Sequence, residues 1–198
     1  MCNLIVTSEE STPHRHFIIH KPYGYLSQFV GEAKKKKLGE FHDFPNGIMA
    51  IGRLDEDSEG LLLLTTDGKV SEHIRSKKIE KEYYAQVGGL IDAEAIGRLQ
   101  AGVEIGIHNV RYQTSPCTAF RLDPAPDFAP RTRKIRDDRH GPTSWVSITL
   151  TEGKYRQIRK MTAAVGFPTL RLVRVRVGSI QLGTMQPGDV VELPFLEG

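Results

Sequence analysis

The run of four leucines at 61–64 constrains the fold of this chain more than any other feature of its sequence. Gly60 precedes the run, and the turn-forming residues TTDG follow it at 65–68. An uninterrupted apolar run between two turns is typical of a strand buried on both faces, since a half-buried strand alternates apolar and polar residues. The sequence therefore predicts that 61–64 lies inside a sheet and that other elements cover both of its sides.

The remaining patterns predict mostly strands, with three helices and an exposed loop at 34–37. Asp92 is predicted to cap the second helix, because an aspartate before the first turn accepts a backbone N–H there. This order of elements predicts an α+β fold around a mixed, largely antiparallel sheet. The predicted strands are 17–19, 48–51, 61–64, 81–87, 112–120, 146–150, 172–177 and 190–193, and the predicted helices are 70–75, 92–101 and 155–165.

The length of 198 residues suits one domain or two closely joined subdomains. The two cysteines, Cys2 and Cys117, are too few for a disulfide framework and belong to no Cys-x-x-Cys pair. No apolar run approaches the roughly 20 residues that a membrane span needs. The first residues also lack the pattern of a secretory signal. The sequence therefore predicts a soluble, cytoplasmic protein without a membrane partner.

The distribution of charge favours a nucleic-acid partner, although the net charge of +3 is small. Any one basic cluster is explained equally well as solvated surface. Several clusters in one chain are what a polyanion-binding face looks like in sequence. The basic clusters lie at 34–37, 75–81, 131–139, 154–160 and 171–176.

The acidic segment DEDSEG at 55–60 is the main candidate for chemistry. A calcium loop is excluded there, because its twelfth position is Thr66 where a bidentate Glu is needed. No phosphate loop or dinucleotide fingerprint is present, and the seven histidines lack the spacing of a zinc site, so no metal is predicted. Asp55, close to Arg53 and just before the buried strand, is then either a functional carboxylate in a cleft or a surface carboxylate paired with that arginine.

Five segments of the chain form an ordered pattern that spans most of its length. The central one is IGRLDEDSEGLLLLTTDG at 51–68, and the others are KPYG at 21–24, KEY at 81–83, EGKYRQIRKM at 152–161 and LVRVRVG at 172–178. The pattern closely resembles that of bacterial ribosomal pseudouridine synthases of the small-subunit family. Because all five segments occur in the order that the family has, the chain is identified as a member of it.

The resemblance implies a pseudouridine synthase catalytic fold, in which two subdomains, about 1–80 and 81–198, flank an active-site cleft. It implies isomerisation of uridine to pseudouridine in rRNA without a cofactor. Members usually carry an N-terminal RNA-binding domain of the S4 type, for which the chain before 21–24 leaves no room. Members that consist essentially of the catalytic domain and act on large-subunit (23S) rRNA are therefore the most similar, and the Pro-rich basic loop 122–142 is expected to compensate for the missing domain.

The resemblance also assigns roles to residues. Asp55 is the essential acid, which either attacks the flipped nucleotide or promotes glycal formation. Arg159 matches the position that pairs with this aspartate, and Tyr83 matches the aromatic residue that stacks on the target base and acts in proton transfer. Arg53 is expected to help replace the flipped base in the RNA. The other residues expected to bind RNA are Lys21, Lys154, Arg156, Lys160, Arg174, Arg176, Lys34, Lys35, Lys36 and Lys37.

Large-subunit rRNA, free or in an assembly intermediate, is thus the expected partner of a monomeric enzyme. Two alternatives stay open. One is the same chemistry on 16S rRNA or another RNA, and the other is a non-catalytic rRNA-binding assembly factor that uses the same basic face.

Overall fold

The computed structural model describes residues 13–31, 33–76, 79–135 and 138–196. Within these ranges, no helix is long and apolar enough to cross a membrane. The strands are β1 (His16–Lys21), β2 (Tyr25–Leu26), β3 (Lys36–Lys37), β4 (Met49–Ile51), β5 (Glu59–Thr65), β6 (Lys81–Gly88), β7 (Glu104–Ile107), β8 (Val110–Gln113), β9 (Thr118–Leu122), β10 (Thr143–Leu150), β11 (Thr169–Val177), β12 (Ile180–Gln181) and β13 (Val190–Leu193). The helices are α1 (Gly68–Ser76), α2 (Ala93–Ala101) and α3 (Gln157–Ala164), and short 3-10 helices lie at Leu38–Glu40 and Asp138–His140.

One mixed sheet of nine strands dominates the described part of the chain. Its main order is β13-β1-β5-β11-β6-β10-β9, with β4 paired to β5 and β12 to β11. Strands β5 and β11 run parallel, and the other neighbours in this sheet run antiparallel. The predicted α+β fold with a mixed, mainly antiparallel sheet is therefore confirmed.

The leucine run lies in β5, and all four side chains are buried. Leu61 and Leu63 pack on one face of the sheet with Ile74 of α1, whereas the other two pack on the opposite face with Leu54. Helices α2 and α3 contribute to a further cluster, and Tyr83 packs against both that cluster and the cluster of Leu54. The prediction of a strand buried on both faces is confirmed, and Tyr83 lies on the face opposite α1.

Gly60, the first residue before the leucines, is required by the close approach of β5 to β11. Its φ is +104°, and a Cβ built on it would lie 2.3 Å from the backbone oxygen of Arg174. Only glycine fits such a position without a backbone shift. This contact is part of the short parallel pairing of the two strands, in which Arg174 is the register partner of Gly60.

The prediction of a single strand at 112–120 is wrong, because this segment contains the end of β8 and the start of β9, with no strand between them. Thr114 turns away and binds Val103, donating its N–H to the carbonyl oxygen at 3.0 Å and accepting the Val103 N–H at 2.9 Å. Pro116 follows and has no N–H for a ladder. Strand β7, which the sequence analysis missed, forms a hairpin with β8 through two residues of positive φ, His108 and Asn109.

Helix predictions at 70–75 and 92–101 are confirmed, and the Asp92 carboxylate accepts the N–H of Ala95 at 2.8 Å. The third helix begins at Gln157, two residues later than predicted, because Arg156 has a left-handed φ of +54°. In the predicted loop 34–37, the last two lysines instead form β3, which pairs with β2. The proposed division into two subdomains stays a prediction.

Candidate active site

The loop 52–58 joins β4 to β5 and is held from three directions. Ser27 is buried, and its hydroxyl accepts the Leu54 N–H at 2.9 Å and donates to the Leu54 carbonyl oxygen at 2.8 Å. The N–H of Gly24 donates to the carbonyl oxygen of Glu56 at 2.8 Å. Within the loop, Ser58 N–H donates to the Asp55 carbonyl oxygen at 3.0 Å. These bonds fix the backbone around Asp55.

Asp55 and Tyr83, which are far apart in the sequence, line one cavity of about 330 Å³. The Asp55 side chain is 32% exposed, and Tyr83 is half-buried on β6. Arg53, Lys154 and Arg156 also line this cavity, together with apolar residues that include Leu150 and Leu172. The volume is within the roughly 300–1,000 Å³ of ligand pockets, and the mixed lining suits a ligand with both apolar and polar groups.

Arg156 is the arginine that contacts Asp55, with its Nη1 atom 3.4 Å from the carboxylate. The same guanidinium donates two hydrogen bonds to Asp57, at 3.0 and 2.9 Å. The loop that ends in Arg156 is fixed by Gln157, whose side chain accepts the Lys154 N–H at 3.0 Å and donates to the Glu152 carboxylate. The predicted pairing of Arg159 with Asp55 is not an ion pair within 4.0 Å among the described residues, although the two charges interact at longer range.

Arg159 instead supports the loop that carries Asp55. Its Nη2 atom donates to the Asp57 carbonyl oxygen at 2.7 Å and lies 3.4 Å from the Asp57 carboxylate. Both arginines contact Asp57, and Arg156 also contacts Asp55. The side chain of Arg159 is only 12% exposed, and its contacts with Asp57 hold the loop 52–58 in place.

Asp57 is the site residue that the sequence analysis quoted without assigning it a role. Burial raises the pKa of its carboxyl, but the hydrogen bonds from Arg156 and the charge of Arg159 outweigh that effect and lower the pKa below its ordinary value. Asp57 therefore stays ionised and holds both arginines beside Asp55. The sequence signal for this role was the pair of carboxylates Asp55 and Asp57, two residues apart, together with two arginines three residues apart in the segment at 152–161.

The residues expected to bind RNA fall into two groups. Arg53, Lys154 and Lys34 are exposed, and Lys36 and Lys160 lie over the rings of Tyr25 and Tyr155. Four others already interact within the protein. Lys35 is bound to Glu56 at 2.7 Å, and Arg176 is bound to Glu80 and Glu82. Arg174 is buried and donates to the Leu61 carbonyl oxygen, and Lys21 is also buried. Lys37 lies in β3 beside the 3-10 turn at Leu38–Glu40. Arg174 and Lys21 are buried, so the expected direct contact with phosphate does not fit their positions.

Lys21 is fully buried, and its ammonium donates to the carbonyl oxygens of Pro22 at 3.0 Å and Tyr25 at 2.7 Å. Burial lowers the pKa of Lys21 from its ordinary 10.5 to about 8, although nearby carboxylates including Glu59 and Asp57 partly oppose this. Between these two pKa values the unfolded chain binds a proton that the folded protein has lost, so the free energy of unfolding rises with pH there.

We expect this rise to appear as a difference between the wild type and Lys21→Met, which lacks the titrating group. From about pH 8 upward, the wild type should gain up to about 1.4 kcal/mol per pH unit relative to the variant. Urea unfolding of both proteins at about pH 7.5 and about pH 9.5 measures this gain. An equal difference in stability at the two pH values would contradict the buried, easily deprotonated state of Lys21.

Comparison with known proteins agrees with the fold. The family described as RNA pseudouridylate synthase matches residues 15–164. The chain therefore belongs to the RNA pseudouridylate synthase family and is an isomerase that converts uridine to pseudouridine. A crystal structure of a pseudouridylate synthase has the same fold, with a TM-score of 0.74 and 24% identity, covering 91% of this chain and 70% of that one.

Several bacterial relatives are more similar in sequence. The chain is 43% identical to the ribosomal large subunit pseudouridine synthase E of Xanthomonas axonopodis pv. citri, over 86% of this chain and 89% of the relative. It is 40% identical to the synthase of the same name from Vibrio parahaemolyticus, over 89% of this chain and 72% of the relative. The ribosomal large subunit pseudouridine synthase B of Bacillus subtilis is 30% identical, over 90% of this chain and 67% of the relative.

Proposed function

We propose that the protein isomerises a uridine of large-subunit (23S) rRNA, with Asp55 as its catalytic residue. The main support for this catalytic site is that Asp55, Tyr83 and Arg156 line one cavity. The names of the relatives, large subunit pseudouridine synthases E and B, support the choice of substrate. A ribosomal RNA substrate also agrees with a location in the cytoplasm.

The reaction breaks the N1–C1′ bond of the nucleotide and forms a C5–C1′ bond. A proton leaves C5 and N1 gains one, so the atoms balance without an oxidant or a reductant. The base has to turn between the two steps, which a stacked and paired base cannot do. The target nucleotide is therefore flipped into the cavity, where the side chains replace the lost stacking.

Asp55 acts on the ribose of the flipped nucleotide, at the point where the N1–C1′ bond is broken. The guanidinium of Arg156, whose Nη1 atom lies 3.4 Å from this carboxylate, orients it toward the ribose. Tyr83 presents an aromatic ring to the same cavity and stacks on the base. Arg53 and Lys154, exposed at the cavity, bind the RNA backbone and position the substrate without specifying its sequence.

Substitution of the two arginines should separate catalysis from support of the loop. We expect both Arg156→Gln and Arg159→Gln to lower turnover, by about 10²-fold for Arg156, the effect of losing one charged group from a preorganised site. Only Arg159→Gln should also destabilise the fold, by about 1–3 kcal/mol, because its hydrogen bonds to the loop are largely buried. Turnover on RNA and thermal unfolding of each variant measure the two effects. Wild-type turnover by Arg156→Gln would show that its ion pair with Asp55 is dispensable.

The substrate is tested with separate transcripts of large- and small-subunit rRNA. After incubation with the protein, pseudouridine is mapped by carbodiimide modification and reverse transcription. A single modified position in the large-subunit transcript is the expected result. Modification confined to the small-subunit transcript would keep the chemistry and overturn the proposed substrate.

A further inference from the structure

A second cavity, of about 400 Å³, adjoins the one that contains Asp55. Arg156 lines both cavities, so its side chain forms part of the wall between them. The second cavity is bounded by Tyr23, by Arg159 and by residues 131, 133, 134 and 135 of the Pro-rich loop. The loop therefore contributes to a concave surface directly beside the proposed catalytic site.

This second cavity is strongly cationic. Five of its lining side chains are basic, and Asp57 is the carboxylate among them. That carboxylate is already bound to Arg156 and Arg159. In the described ranges, no carboxylate lies within 4.0 Å of the cationic groups of the other three, Arg131, Arg133 and Lys134. The positive charge on this side of the cavity is therefore left to attract an anion from outside.

The loop side of the cavity is held in place before any ligand arrives. The Arg131 guanidinium lies 4.6 Å from the centre of the Tyr23 ring and donates to the carbonyl oxygen of Leu170 at 3.3 Å. Arg133 donates to the hydroxyl of Tyr23 at 3.3 Å. Burial lowers the pKa of Arg131; the charge of Glu59 opposes this effect, and repulsion by Arg171 and Arg133 adds to it. A bound anion would relieve that repulsion at little cost in ordering the loop.

We propose that this cavity is a phosphodiester subsite, which binds the RNA backbone next to the flipped nucleotide. The proposal rests on the proposed function, since it takes the ligand to be the RNA whose uridine enters the neighbouring cavity. Guanidinium groups suit phosphate because their planar N–H groups match its oxygens. Arg133 and Lys134 are exposed at the cavity and bind the phosphate, whereas Arg131 and Tyr23 form its base.

The test compares two variants that each lose one arginine and one lysine. Arg133→Gln with Lys134→Gln alters the subsite. Lys69→Gln with Arg75→Gln removes the same charge from exposed positions of α1, on the other face of the sheet. RNA affinity is measured by filter binding over a series of salt concentrations, and turnover is measured at saturating RNA.

We expect the subsite variant to bind RNA about tenfold more weakly and to lose roughly 0.7–0.9 of the salt-dependence slope for each phosphate contact removed. Measuring its turnover at saturating RNA separates this loss of affinity from any change in the rate of the reaction. Equal affinities and slopes for the two double variants would overturn the subsite. Should the subsite variant melt early, Lys134→Gln alone repeats the binding test at an exposed side chain.

The binding measurements also separate this proposal from the proposed function. A wild type that modifies no transcript but whose affinity depends on Arg133 and Lys134 would refute the proposed reaction and support the subsite. If the wild type modifies RNA but the subsite variant binds RNA like the α1 variant, the proposed reaction is supported and the subsite is refuted.

Discussion

Asp55→Asn is expected to abolish turnover, by about 10³-fold or more, the scale on which loss of a group that takes part in bond breaking acts. An asparagine has nearly the same shape as aspartate but carries no negative charge, so it cannot attack the ribose or assist departure of the base. The loop that carries it should persist, because Ser27 and Arg159 hold the backbone of neighbouring residues. Single-turnover kinetics and thermal unfolding check these two expectations, and RNA affinity, which should stay near that of the wild type, is measured beside them.

A matched control for this substitution is Asp43→Asn, at an exposed aspartate that does not line the cavity. It makes the same change of charge and should leave turnover unchanged. If Asp55→Asn lost RNA affinity as severely as turnover, Asp55 would be a binding residue, and the proposed catalytic role would be wrong.

Arg171→Met is expected to destabilise the protein by about 3–5 kcal/mol, because it leaves a buried carboxylate without its partner. Arg171 is 5% exposed and Glu59 1%, and the two form hydrogen bonds of 2.9 and 2.8 Å between β11 and β5. Arg171 also donates to the carbonyl oxygen of Ala129 at 2.9 Å, which ties the Pro-rich loop to the sheet. Thermal and urea unfolding measure the loss.

The double variant Arg171→Met with Glu59→Met is the control for this prediction. It removes both charges, and apolar replacement of a whole buried pair is often close to neutral. Its stability should therefore lie nearer to the wild type than that of Arg171→Met alone. A single variant as stable as the wild type would show that the pair contributes little to the fold.

Features set by local patterns were predictable from the sequence. The leucine run and its flanking turns predicted the central strand, and Asp92 predicted the start of α2. Both depend on neighbours within a few residues, such as the Ala95 N–H that the Asp92 side chain accepts. The break at 114–117 was missed, because Thr114 pairs with Val103 across a hairpin whose turn residues, His108 and Asn109, carry no glycine signal.

Long-range contacts set the rest of the candidate site. The resemblance pointed to Asp55 and Tyr83, which the fold places on one cavity. It did not reveal that Arg156 would contact Asp55, since this depends on one left-handed backbone conformation. Nor did alternation along β11 distinguish the buried Arg174 from the half-buried Arg176, because Arg174 meets the backbone of β5 at the parallel pairing.

Release of tritium from 5-tritiated uridine in a large-subunit rRNA transcript is the most direct measurement of the central claim. Formation of the C5–C1′ bond requires the hydrogen on C5 to leave, so each isomerisation releases one tritium. We expect release of about one equivalent per transcript by the wild type, as for chemistry at one flipped nucleotide, and none by Asp55→Asn. Equal release by the two proteins would contradict the claim that the carboxylate of Asp55 carries out the reaction.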